Sequence, residues 1–188
     1  GAVAAVSTGD DGVSLGDRNA PTAAYAALAP EFGYGTRSRF NSQQSDYQGY
    51  LGGQFHDGRA ATLKDQAAGP PLNSIEMGMP DAASVAARLQ ENSDYVDAFE
   101  AYFGEGIFDD VDRAYAAMTE AIAAFESTDA FASFDSKYDR SLLSVTDSNR
   151  YVYDPLDKAT LGKSLFFSQQ FTNCATCHQL NAQGSKTE

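Results

Sequence analysis

Basic side chains are scarce in this sequence. Thirteen Lys and Arg stand against 26 Asp and Glu, for a formal net charge of −13. That balance argues against a nucleic-acid partner, because phosphate binding needs a basic face. An acidic surface serves solubility, or draws in a basic partner and speeds its docking. Long apolar runs are missing too, and nothing approaches the ~18–20 residues of a membrane span. The start, Gly1-Ala2-Val3-Ala4-Ala5-Val6, has neither a basic leader nor an initiator methionine, so it does not read as an intact signal peptide. A processed chain or a fragment is expected. Strand signals are nearly absent, no internal repeat is found, and there is no tryptophan at all. What is present, 43% hydrophobic and 12% aromatic residues in a chain of 188, suffices for a folded core.

The expected fold class is all-α, rich in long irregular loops. Residues 1–22 are dense in turn formers, and Ala23 to Leu28 can make a short helix stopped by Pro30. Residues 31–54 read as irregular, with glycines at 33, 35, 49, 52 and 53 and with Tyr34, Phe40, Tyr47 and Tyr50 among them. A short helix through Gln66 ends at Gly69-Pro70-Pro71, and another is expected over Ala82 to Gln90. Ser93 can cap a third that Gly104 closes. Asp109 and Asp110 suit the start of a fourth, where the helix dipole favours negative charge. Its Val111, Tyr115, Met118, Ile122 and Phe125 make the clearest apolar stripe in the chain. A looser segment spans 131–143, and Asp154-Pro155 opens a last helix with Leu161, Leu165 and Phe166 on one face.

The only two cysteines fall in Cys174-Ala175-Thr176-Cys177-His178. Thiols at this spacing can form thioethers to the two vinyl groups of one haem, and the next histidine can ligate its iron from below. A redox dithiol would instead follow a buried strand, whereas Leu165-Phe166-Phe167 reads as helix. A zinc site would need two further Cys or His ligands, and the only other histidine is His56. Haem c attachment is therefore the reading that the residues favour.

Four stretches in order then extend this reading. They are Gly16-Asp17-Arg18-Asn19-Ala20-Pro21-Thr22; Phe55-His56-Asp57-Gly58-Arg59-Ala60; Gln66-Ala67-Ala68-Gly69-Pro70 leading to Glu76-Met77; and Leu161-Gly162-Lys163-Ser164-Leu165-Phe166-Phe167 before the cysteine motif. Together they resemble the bacterial di-haem cytochrome c peroxidase family, which includes the MauG-like proteins. The resemblance implies two cytochrome c-type haem domains. Residues 1–150 would be most of the N-terminal, peroxidatic domain without its attachment motif, which would fall before Gly1. Residues 151–188 would begin the C-terminal, electron-transfer domain, whose distal iron ligand would lie beyond Glu188. The chain is expected to be a central part of such a protein.

The same resemblance assigns candidate roles. Glu76 takes the place of the catalytic carboxylate that moves a proton between the oxygens of hydrogen peroxide. Gln66 lines the same pocket. Asn19 matches an asparagine that supplies a calcium ligand between the haem domains, and an amide oxygen is a suitable hard donor. Arg18 and Arg59 can pair with haem propionates, since arginine suits bidentate carboxylate binding. Met77 and Met79 carry thioethers, and gap-filling is the reading taken for both. His56 stands where many family members place a tryptophan relay between the haems; it relays charge differently, binds near a haem, or packs. No histidine lies between Gly1 and Asn19, where some family members use one to block the resting haem, which implies a peroxidatic haem open without prior reduction.

The function implied is a periplasmic oxidoreductase of the cytochrome-c peroxidase type. It would hold two haems c, one attached within this chain, with calcium as an additional ion. Its partners would be hydrogen peroxide and a small, basic electron-donor protein, and a homodimer is compatible with it. Two alternatives stand beside it: a MauG-like enzyme that oxidises residues of a partner protein, and a non-catalytic electron-transfer cytochrome.

Overall fold

The computed structural model describes residues 5–38, 45–168, 170–176 and 178. Phe40, Cys177 and the polar stretch after Leu180 lie outside the described residues. Helices carry most of the regular structure, and a two-stranded sheet is the exception. The chain divides into two compact units, Gly1–Gly33 with Gly52–Phe131, and Tyr34–Leu51 with Ala132–Glu188.

The first unit is built on four helices: α1 (Leu63–Ala67), α2 (Ala82–Gln90), α3 (Ser93–Phe103) and α4 (Val111–Glu126). Their starts follow from local side chains. Thr62 and Asp65 form a capping box at α1. The Ser84 N–H donates to the Asp81 carboxylate at 2.7 Å, and the Arg113 N–H to that of Asp110 at 3.1 Å. Asn92, one residue before the expected Ser93, caps α3 by accepting from the Asp94 N–H. Gly104 ends that helix at φ 102°, in the region that favours glycine. The helix expected at Ala23–Leu28 is only a 3-10 turn at Ala26–Leu28. Tyr25, at φ 62°, donates its N–H to the Phe131 carbonyl instead of extending a helix.

α4 is the platform, and its buried face differs from the expected stripe. Ala114 is 0% exposed and Ala117 4%, with Met118 and Thr119 also buried, whereas Val111 and Phe125 at the stripe's ends are exposed. The reason is steric. Both α1 and α2 pack against α4, and small alanines allow such close approach. The Tyr115 hydroxyl donates to the Ala68 carbonyl at 2.7 Å and ties α4 to the end of α1. Phe125 packs edge-on against Phe131, with ring centroids 5.1 Å apart.

The second unit holds the sheet, β1 (Gly33–Arg37) and β2 (Tyr47–Leu51), within a segment expected to be irregular. Tyrosines alternate with glycines here. The glycines hide the strand pattern, but the tyrosines favour it: Tyr34 and Tyr50 meet edge to face at 5.6 Å. Two helices follow, α5 (Lys137–Ser141) and α6 (Lys158–Phe167). α6 starts later than Asp154, whose carbonyl accepts from the Asp157 N–H in a turn. Of the three apolar residues expected on one face, Leu161 and Leu165 are exposed and Phe166 is half-buried. Residues just before 150 are tied to those after it: the Tyr151 N–H donates to the Arg140 carbonyl, and the Lys137 ammonium lies 5.3 Å from the Tyr151 ring.

Candidate functional site

Three loops and one helix of the first unit converge on a cavity of about 810 Å³. The first loop is a tight turn in which Thr8 pairs with Leu15 and Gly9 donates to the Ser14 carbonyl. It presses on the third loop. Asp10 donates its N–H to the Glu76 carbonyl at 2.7 Å, and a Cβ on Gly9 would come within 2.7 Å of the Ile75 carbonyl oxygen. Only glycine fits there without displacing backbone.

The second loop carries Phe55 to Arg59. Phe55 takes φ 64°, a left-handed conformation rare for a bulky residue. Its ring lies under the Arg59 guanidinium, 3.7 Å from centroid to carbon. Asp57 accepts from Arg18 Nη1 at 2.6 Å through one oxygen and from Arg59 Nη1 at 2.9 Å through the other. The hydrogen bond from Arg18, above all, holds the Asp57 carboxyl down at about 2. All three side chains are more than a third exposed, so salt screens these pairs. His56 Nε2 lies 2.9 Å from the Asn19 carbonyl oxygen. A carbonyl only accepts, so Nε2 carries the hydrogen.

The third loop follows α1 and turns at Asn73 to present Glu76. Asn73 Nδ2 donates to Glu76 Oε1 at 3.0 Å. Glu76 and Gln66 are both half-buried in the wall of the cavity.

The cavity therefore gathers Glu76, Gln66, Arg18, Arg59, His56 and Asn19. Those six come from three sequence stretches. Met77 also lines it, while Met79 is not among its lining residues. The Asn19 amide donates to the Ala5 carbonyl at 3.0 Å. Among the described residues there is no group of three or more Asp, Glu, His or Cys able to hold a metal ion. The wall combines two guanidiniums with apolar Phe55, Pro70 and Ile75. That mixture fits a haem, which presents a flat apolar macrocycle and two carboxylates.

Two residues of the site were not singled out from sequence. Asp57 stood in a turn signal, Asp57-Gly58, and its link to Arg18 spans 39 positions, beyond any local pattern. Asn73 lies three residues before Glu76. An asparagine at that offset within a turn is a signal that could have found it.

Cys174 and His178 belong to the second unit. A 3-10 turn covers Cys174–Thr176, and the His178 N–H donates to the Cys174 carbonyl at 2.9 Å. Ala175 is 1% exposed, and the Phe166 ring lies 6.3 Å from that of His178. The turn brings His178 back towards Cys174 near half-buried Phe166, and a ring at that place fits the apolar face of a haem.

The family model "Di-haem cytochrome c peroxidase" matches residues 2–147. The chain belongs to the di-haem cytochrome c peroxidase family. Membership brings haem c and oxidoreductase chemistry at the level of the family. The chain is 46% identical over 180 residues to the methylamine utilization protein MauG of Paracoccus denitrificans, covering 96% of this chain and 41% of that protein. It is 36% identical over 125 residues to the cytochrome c peroxidase Ccp of Escherichia coli, covering 66% of this chain and 23% of the relative. The diheme peroxidase BthA of Burkholderia thailandensis has a similar fold, with a TM-score of 0.75 at 28% identity over 95% of this chain and 40% of that one. The chain thus spans less than half the length of these relatives. No helix among the described residues is long and apolar enough to cross a membrane.

Proposed function

We propose that the intact protein is a periplasmic di-haem peroxidase, reducing hydrogen peroxide to water with electrons from a small c-type cytochrome or similar donor. The observation that carries this reading is the single cavity holding Glu76 and Gln66 beside Arg18 and Arg59. A haem bound there supplies the iron that exchanges electrons with peroxide. Arg18 and Arg59 would hold its propionates, and Gln66 would orient peroxide through its amide. Glu76 takes the proton from one peroxide oxygen and delivers it to the other as the O–O bond breaks. Each turnover consumes one peroxide, two electrons and two protons and yields two waters. On this reading residues 1–150 belong to the peroxidatic domain and 151–188 to the electron-transfer domain. There Cys174 and Cys177 form the thioethers and His178 ligates the iron. The charge of −13 suits a basic donor.

A second reading is oxidation of residues in a partner protein, and the 46% identity to MauG favours it. His56 in place of a tryptophan relay weighs against it. The discriminating experiment uses the full-length protein loaded with both haems, a reduced small cytochrome c and peroxide. Steady oxidation of the cytochrome at two per peroxide, lost by orders of magnitude in Glu76→Gln, supports the peroxidase. A pure electron carrier would show no peroxide turnover and no effect of Glu76→Gln.

A further inference from the structure

We infer that Asn73 is the positioning residue for Glu76, fixing which carboxylate oxygen handles the peroxide proton. The inference rests on the peroxidase reading above and adds to it a residue without which Glu76 is not aimed.

Asn73 uses each kind of polar group it has on the Glu76 turn. Its backbone carbonyl accepts from the Glu76 N–H at 3.0 Å and from the Gly78 N–H at 2.9 Å. Its side-chain Oδ1 accepts from the Ile75 N–H at 3.2 Å. Its Nδ2 donates to Glu76 Oε1 at 3.0 Å. The assignment of the two amide atoms is forced. Ile75 offers a hydrogen and needs an acceptor, while a carboxylate needs a donor. Asparagine is therefore required chemically. Aspartate would keep the acceptor for Ile75 but set a second carboxylate against Glu76. Alanine would lose both bonds.

The turn is anchored at both ends. The Asn73 and Met77 N–H groups both donate to the Pro70 carbonyl at 3.3 Å, and Met79 donates to that of Pro71 at 2.9 Å. Gly78 completes the turn at φ 64°. From the other side Asp10 holds the Glu76 carbonyl, and Gly9 admits no side chain against Ile75. Main chain thus clamps Glu76 from two loops, and the side chain keeps only its own torsions. Asn73 restrains those through Oε1, so Oε2 is left as the oxygen for proton transfer. The other charged or titratable groups in the cavity wall are Asp10, Asp17, Arg18, His56 and Arg59. No bond between any of them and the Glu76 carboxylate is seen among the described residues, whereas Asn73 makes one.

The test compares Asn73→Asp, Asn73→Ser, Glu76→Gln and the Asn73→Asp/Glu76→Gln double variant in the full-length protein with both haems. Asp and Ser both keep an acceptor for the Ile75 N–H, so either variant can preserve the turn. Asn73→Asp is expected to lower kcat for peroxide about 10- to 100-fold with KM little changed, because a charge-assisted bond to the proton carrier is lost. The double variant should be no slower than Glu76→Gln alone. Infrared difference spectra, wild type minus Glu76→Gln, should show the Glu76 carboxylate band move in Asn73→Asp and Asn73→Ser. A purely structural role would not predict these results together. Wild-type kcat in a folded Asn73→Asp, multiplying losses in the double variant, or an unmoved carboxylate band would each overturn the inference. If Glu76→Gln itself retains full turnover, the peroxidase assignment of Glu76 falls and this inference falls with it. If Glu76→Gln is inactive and Asn73→Asp keeps the wild-type kcat, only this inference falls.

Discussion

The surroundings of Glu76 and those of Cys174–His178 are built from opposite materials. Around Glu76 the wall holds carboxylates, amides and guanidiniums, and Glu76, Arg18, Arg59, Asn19 and Asn73 are tied to backbone or to another side chain. Near His178 the side chains are rings: Phe166, 6.3 Å from it, meets Phe167 edge to face at 5.1 Å, Phe167 lies 5.9 Å from Tyr138, and Leu165 is exposed on the same helix. Lys163 of the same helix lies 5.4 Å from the Tyr138 ring and 4.6 Å from that of Tyr153. The difference matches the chemistry proposed for each. Cleaving peroxide moves protons, which requires positioned titratable groups. Passing an electron moves none, and an apolar shell around a metal centre controls its potential and keeps solvent out.

Breaking each side separately sharpens this contrast. The largest effect is expected from the Cys174→Ser/Cys177→Ser double variant, which should remove one covalently held haem per chain and, on the proposed reading, abolish electron entry. Mass spectrometry and a haemochrome assay would show one haem in place of two. Next comes Glu76→Gln, which should slow peroxide turnover by roughly 100- to 10,000-fold while leaving the His178 haem reducible by dithionite. If that haem also lost its normal reduction, the division of labour between the two surroundings would be wrong.

Gly9→Ala is expected to act more mildly, through structure. Its Cβ would meet the Ile75 carbonyl, so thermal or denaturant unfolding should show a loss of about 1–3 kcal/mol, with the Glu76 loop gaining amide hydrogen exchange. The smallest effect belongs to Asp57. Its folded carboxyl titrates at about 2, below the ordinary 3.8. The stability it contributes is therefore present above about pH 4 and is lost as pH falls towards 2. Melting curves of Asp57→Asn should be flatter than wild type across that window, and the difference should shrink in high salt.

Much of the architecture could be read from local chemistry. The starts and ends of α2 and α4 and the closure of α3 at Gly104 come from short-range bonds that a sequence displays. The residues of the cavity were legible as separate stretches, and the fold brings them to one wall. What escaped was tertiary. The stripe on α4 held at Met118 and failed at its ends, Val111 and Phe125, because large side chains draw the eye there, whereas Ala114 and Ala117 are buried more deeply than Met118. The sheet escaped because glycines at 33, 35 and 49 mask a strand pattern that the tyrosines between them stabilise. The Asp57 bridge escaped because no local rule joins positions 18, 57 and 59. Helical spacing reports that the face of Leu161, Leu165 and Phe166 is apolar, not what covers it, and Leu161 and Leu165 are exposed.

The alanine face of α4 has a thermal consequence. A buried alanine has no rotamers to freeze, so packing α1 and α2 on Ala114 and Ala117 loses little side-chain entropy. A platform of long side chains would store disorder in its torsions and release it on warming. At Ala114 and Ala117 there is none to release, and Met118 is the long side chain buried with them, so most of that reservoir is missing from the support on which the α1 segment bearing Gln66 rests.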